Sequence, residues 1–217
     1  MNYKEKNRRN QILRASLNAL SDKGFNTVTL QDIADYAGVS KGVTNYYFKS
    51  KADVFGHLFE WLTQRIYENE SAAVSSKYTA MEKLEAYVNA AFSSPEKNKQ
   101  FFRVYLDFLA QANHSSNYRE INNRFYENCW SIGREIASIG QREGVFPDFD
   151  IDVAGVAIRA SIDGCLLQWL MRNQSELHGF YRDVCYKTIL GYLMNGEISG
   201  EKEITNINST VLPKNKI

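Results

Sequence analysis

Residues 40–51 read SKGVTNYYFKSK, and Thr29 lies eleven positions ahead of Ser40. Lys41 can donate to guanine O6 or N7 or to a phosphate, and Asn45 can pair through two hydrogen bonds with adenine N6 and N7. The Thr44 methyl can meet a thymine methyl. Tyr46, Tyr47 and Lys51 follow where phosphates would pass. Thr29 opens a helix whose free N–H groups suit a further phosphate, and Ser40 stands at the N-terminal end of the next helix, the end that would enter the groove. Such residues at such spacing can read base edges and grip a nucleic-acid backbone. Plainer readings stand beside this one: a tyrosine packed inward, Lys49 and Lys51 as solvated lysines, and the helix pair as a simple αα-hairpin.

Presenting these residues requires three short helices. Ile12, Leu13, Ala15, Leu17, Ala19 and Leu20 give one apolar face over residues 4–23, which Gly24 stops. Thr29-Leu-Gln-Asp32 forms a capping-box pattern, followed by Leu30, Ile33, Ala34 and Ala37 at helical spacing. Gly38 breaks that helix and permits a positive φ, and Ser40 caps the next one. Two helices joined by a tight turn make a helix-turn-helix, whose second helix enters a major groove by its N-terminal end. Ser50-Lys-Ala-Asp53 is a further capping box ahead of a long helix.

Charge agrees with that placement. The 217 residues carry a net charge of +1, yet residues 1–51 hold nine Lys or Arg against four acids. A basic head on a mildly acidic body suits one end meeting a polyanion. The chain is 44% hydrophobic and 24% charged, which excludes disorder and collagen-like repetition. Cys129, Cys165 and Cys185 form no close pair and are expected to be reduced thiols of a cytoplasmic protein. The N-terminus lacks the apolar core of a signal peptide. No stretch of about 18 consecutive apolar residues is found, so no membrane span is expected.

The stretch TVTLQDIADYAGVSKGVTNYYFKSKADVF resembles the DNA-binding domain of TetR-type (tetracycline-repressor-like) transcriptional regulators. Thr29, Ile33-Ala34, Ala37-Gly38-Val39-Ser40, Gly42, Tyr47-Phe48, Lys51 and Phe55 carry the resemblance, which is specific over about residues 8–60. The family's usual Leu-Tyr after the glycine is Thr44-Asn45 here. The run Gly42 to Phe48, and Ile162-Asp163-Gly164-Cys165-Leu166, look more like the branch with the choline-responsive repressor of betaine synthesis. The resemblance implies an all-α fold of nine or so helices, a homodimer, an effector pocket in the larger domain and DNA contacts at Thr29, Ser40, Lys41, Thr44, Asn45, Tyr47 and Lys51. It implies repression until a small molecule binds. The expected division is a helix-turn-helix domain over 1–51, a helical effector and dimerisation domain over 52–195, and a polar, mobile tail over 196–217.

Helical patterning continues near 51–75, 78–93, 95–112, 117–143, 151–173 and 175–195, with Ser94-Pro95-Glu96 and Asp150 as helix starts. Residues 154–171 are apolar nearly all round, which predicts burial on most sides. By the resemblance, 151–173 and 175–195 form a four-helix interface with their symmetry mates, Gly155, Gly164 and Gly191 allowing close approach. Tyr105, Phe108, Phe125, Tyr126, Trp130 and Trp169 fall on the helices that surround the family's pocket, with Arg103, Asn113, Asp163 and Gln168 as polar anchors. The plainer reading makes these aromatics core. A buried Asp163 near Trp130 or Trp169 would favour a cationic effector; an Asp163 paired with Arg159 would be structural.

His57, His114 and His178 lack partners at metal-ligand spacing, and no nucleophile-elbow, zinc-protease or phosphate-loop pattern occurs. Neither enzyme activity, metal nor cofactor is expected. The partners expected are a double-stranded operator, a second copy of the chain and a small molecule, with no membrane. Two rivals are a helical carrier or protein-interaction protein without DNA readout, and an activator of the same fold. Asn208-Ser-Thr matches a glycosylation sequon and is expected to be accidental.

Overall fold

The computed structural model describes residues 3–196, and the expected tail, with its sequon, lies almost wholly outside them. Nine α-helices and no strand occur among the described residues: α1 Tyr3–Lys23, α2 Leu30–Ala37, α3 Lys41–Tyr47, α4 Lys51–Ser75, α5 Ala80–Ala91, α6 Pro95–Ala112, α7 Ser116–Glu143, α8 Ile151–Arg172 and α9 His178–Asn195. A single 3-10 turn, Ser175–Leu177, precedes α9, so the last helix starts three residues later than its pattern suggests.

The helix ends obey local chemistry. Thr29 and Asp32 complete a capping box on α2, and Thr79 and Glu82 do so on α5. Ser50 accepts from the Asp53 N–H, but the Asp53 carboxylate takes its return bond from the Lys49 N–H at 2.8 Å. Pro95 sits in the first turn of α6, where its missing N–H costs nothing. Asp150 caps α8 as expected, accepting from the N–H groups of Asp152 and Val153.

α1 packs on α2, and α2 on α3, while α1 also packs against α4 and α6 of the larger part of the chain. Phe59 on α4 stacks on Phe108 with centroids 3.6 Å apart and on Tyr105 at 5.4 Å, and these rings anchor α6 against α4. α7 and α8 cross where Gly133 meets Gly155: a Cβ on Gly133 would lie 2.8 Å from the Gly155 Cα. Gly155 therefore serves close approach within the chain. Gly164 and Gly191 have nothing within 4 Å of their Cβ positions.

One helix among the described residues, α8, is long and apolar enough by length and composition to cross a bilayer, with a mean hydropathy of 1.3 over an 18-residue window, although Arg159 and Asp163 interrupt its apolar run. Its place explains the composition. It is clasped by α7 and α9 and carries a buried Arg159 ion-paired to neighbours, which suits a core helix. Cys129 and Cys185 are buried and Cys165 half-buried, all as free thiols.

Candidate nucleic-acid interface and effector cavity

Gly38 ends α2 at φ 62°, ψ 37°, and its N–H donates to the carbonyls of Ala34 and Asp35. Val39 adds a bond to the Ala34 carbonyl at 3.0 Å, closing the turn. Ser40 then caps α3 by accepting from the Val43 N–H. This short, fully bonded link fixes α3 across α2.

The exposed face of α3 carries Lys41, Gly42, Asn45 and Tyr46, with Ser40 exposed at its N-terminus. Tyr46 is 75% exposed, whereas Tyr47 is half-buried against the core. Their rings meet edge to face at 5.0 Å. Thr44 corrects the sequence reading. It is 0% exposed, so its methyl cannot reach a thymine. The cause is helical register: Thr44 shares its face with Phe48, four residues on, and Phe48 is fully buried.

Lys51 also departs from expectation. Its Nζ donates to the Phe25 carbonyl at 2.7 Å and stands 4.6 Å over the Phe25 ring. It braces the α1–α2 corner and is not a free charge awaiting a phosphate. Thr29 remains exposed, but its N–H and hydroxyl both donate to the Asp32 carboxylate, at 2.8 and 2.7 Å. Lys23 also pairs with Asp32, and these partners hold the Asp32 carboxyl down at about 2. A phosphate approaching the start of α2 therefore meets an anion already seated there.

In the larger domain a cavity of about 260 Å³ opens between α1, α4, α5, α6 and α8. Leu62, Ile66, Phe101, Phe102 and Leu166 give it an apolar body. Exposed Arg65 and Lys97 stand at its rim, and buried Glu70 and Arg159 lie on its inner wall. Arg159 Nη1 is 3.4 Å from Glu70 Oε1, and Nη2 is 2.7 Å from Asp163 Oδ1. The guanidinium also lies 4.8 Å over the Phe125 ring. Burial pushes the Glu70 carboxyl up to about 7, more than Arg159 pulls it down. Burial likewise drives the Cys129 thiol up to about 12.

None of the ten residues expected to bind an effector lines this cavity. Phe108 and Phe125 are core, as the plainer reading had it. Tyr105 donates to Tyr126 at 2.7 Å, and Tyr126 stacks on Trp130 at 5.8 Å. Trp169 gives its indole N–H to the Gln174 carbonyl and sets its ring against His178. Arg103, Asn113 and Gln168 are exposed. Asp163 is held by Arg159, the arrangement that marks it as structural. Glu70 escaped the sequence reading, although a signal was present. It continues the inward stripe Phe59, Thr63, Ile66, Glu70, Val74, where a carboxylate is out of place.

The family described as "BetI-type transcriptional repressor, C-terminal" matches residues 80–190, and "Bacterial regulatory proteins, tetR family" matches residues 12–58. The HTH-type transcriptional regulator BetI of Serratia proteamaculans is 27% identical over 173 residues, covering 76% of this chain and 82% of that protein. A putative transcriptional regulator from Saccharomonospora viridis, in complex with choline, superposes with a TM-score of 0.74 at 23% identity, covering 85% of this chain and 94% of that one. The transcriptional regulator FadR from Bacillus subtilis, in complex with stearoyl-CoA, superposes with a TM-score of 0.70 at 23% identity, covering 86% and 98%. With the helix-turn-helix and the larger helical domain both matched, the chain belongs to the TetR family of DNA-binding transcriptional repressors, with a BetI-type C-terminal domain.

Proposed function

We propose that two copies of the chain pair through α8 and α9, place their α3 helices in successive major grooves, and leave the operator when a small amphiphile fills the cavity. The observation that carries this reading is the outward face of α3, where Lys41, Asn45 and Tyr46 project from a helix whose other side is sealed into the core. Lys41 supplies a cation for guanine or phosphate, Asn45 a matched pair for adenine, and Tyr46 a hydroxyl for the backbone. One such helix reads few base pairs, so a two-fold dimer with half-sites about 34–36 Å apart supports an adequate site.

Val156, Leu167 and Met171 on α8, with Phe180, Val184 and Met194 on α9, are exposed apolar residues at helical spacing. Exposed apolar residues repeated along both helices suit burial against a symmetry mate. The solved structures described as complexes with choline and with stearoyl-CoA support a small-molecule effector for this chain, and the cavity is the place we assign it. With Asp163 already paired, the apolar cavity supports an amphiphile better than a free small cation. Membership of this bacterial regulator family supports a cytoplasmic place of action.

Selection of binding sites from a random duplex pool, followed by gel shifts, tests the reading. A two-fold symmetric consensus is expected. Asn45→Ala should relax preference at one position per half-site by about 1–3 kcal/mol. Enrichment of no sequence, or an asymmetric one, would overturn the proposal. The position of the resulting operator relative to a promoter decides repression against activation.

A further inference from the structure

The cavity's inner wall has unspent hydrogen-bonding capacity. Glu70 and Arg159 are 2% and 3% exposed, and Glu70 Oε2 and Arg159 Nε have no hydrogen-bond partner among the described residues. Both atoms are already shut off from bulk water, and a purely hydrocarbon ligand end would leave that desolvation cost uncompensated. We infer that the cavity takes an amphiphile with an anion at the rim, an apolar body, and a neutral hydroxyl at its buried end, which hydrogen-bonds Glu70. This inference rests on the effector reading above and names the ligand's class.

Charge selects the hydroxyl. A buried ammonium would lie beside the Arg159 guanidinium, which already serves Glu70 and Asp163. A buried carboxylate would face those same two acids. A hydroxyl adds no charge, and it can donate to an ionised Glu70 or accept from a protonated one. The Glu70 carboxyl turns about a soft terminal bond, so Oε2 can swing to meet an incoming group. At the rim the choice is opposite. Arg65 and Lys97 are exposed and make no ion pair with an acid among the described residues, leaving two cations for an anionic head group.

Three probes test the assignment: decanoate, ω-hydroxydecanoate and ω-aminodecanoate, titrated calorimetrically into the full chain. The hydroxylated probe is expected to bind at least about tenfold tighter than either of the others, the behaviour of a site built around a hydroxyl. Glu70→Leu should erase that preference, and Arg65→Ala with Lys97→Ala should weaken all three probes alike. Equal or tighter binding of decanoate or of ω-aminodecanoate, failure of all three to bind, or a preference that survives Glu70→Leu would each overturn the inference. If Glu70→Leu does not fold, the ranking on the unaltered chain decides alone. Gel shifts without probe, on the selected operator, separate this from the regulator reading: lost DNA binding with an intact hydroxyl preference sinks the latter and leaves the ligand site standing.

Discussion

The Asp107 carboxylate on α6 accepts a hydrogen bond from the Phe25 backbone N–H at 2.7 Å, just beyond the turn that ends α1. This bond ties the helix flanking the cavity to the corner of the DNA-binding unit, since Phe101 and Phe102, one to two turns earlier on α6, line that cavity. Gln100 adds a second tie, donating to Asn18 on α1 at 2.8 Å. A shift of α6 on filling the cavity would therefore move α1. Asp107→Ala should leave operator affinity within about threefold while reducing ligand-induced release by at least about fivefold, the lower end of ordinary coupling energies. Asp107→Asn, which keeps an acceptor, should restore release. Gel shifts with and without ligand measure both, and full release from Asp107→Ala would show that the coupling runs elsewhere.

Lys51 and Thr44 carry predictions opposite to those their residue types suggest. Because the Lys51 ammonium is held by the Phe25 carbonyl and ring, Lys51→Ala should lower unfolding stability by about 1.5–3 kcal/mol, as for a bond to a charged group. The salt dependence of DNA binding should stay unchanged. Lys41→Ala, by contrast, should flatten that dependence by about one unit. Thr44 is buried with an unpartnered hydroxyl, so Thr44→Val should be neutral or stabilising and leave base preference intact. Chemical denaturation and salt-titrated gel shifts distinguish these outcomes. A salt slope that falls by one in Lys51→Ala would return that lysine to the phosphates.

Much of this fold is legible in the sequence because its signals are local. Thr29, Gly38, Ser40, Ser94 and Asp150 each mark a helix boundary through a bond made within three or four residues. The site is less legible where a role depends on direction. Thr44 and Asn45 are neighbours of similar polarity, yet a 100° turn of helix puts one in the core and the other in solvent. Lys51 finds the Phe25 carbonyl 26 positions back along the chain, a pairing that no local pattern announces. Glu70 and Arg159 are 89 positions apart and meet only because α4 and α8 pack together.

Glu70 makes stability depend on pH. Its carboxyl rises from an ordinary value of 4.5 to about 7 on folding, chiefly through burial. A raised folded value means that the native state holds the proton more tightly than the unfolded chain. The stabilising contribution is thus complete below about pH 4.5 and fades as pH rises through about 7. Relative to the parent chain, Glu70→Gln should match its stability near pH 4.5 and exceed it above pH 7, by up to about 3 kcal/mol. Denaturant melts at several pH values measure the difference, and a gap that stays constant with pH would mean Glu70 titrates normally.

The apolar stripe on α8 and α9 sets the last prediction. Met171 is 65% exposed and Phe180 60% exposed, so charging them removes nothing from the chain's own core. Met171→Glu with Phe180→Glu should therefore keep helical content and melting behaviour, yet sediment as a monomer, because four carboxylates brought together across a two-fold axis repel and lose their water. Linked binding of two half-sites commonly adds about 10²–10⁴ in affinity, and this double variant should forfeit it on a full operator. Binding to an isolated half-site should persist, since α3 lies in the other domain. A double variant that remains dimeric would place the interface elsewhere. One that is monomeric but binds the full operator undiminished would mean the two copies act independently on DNA.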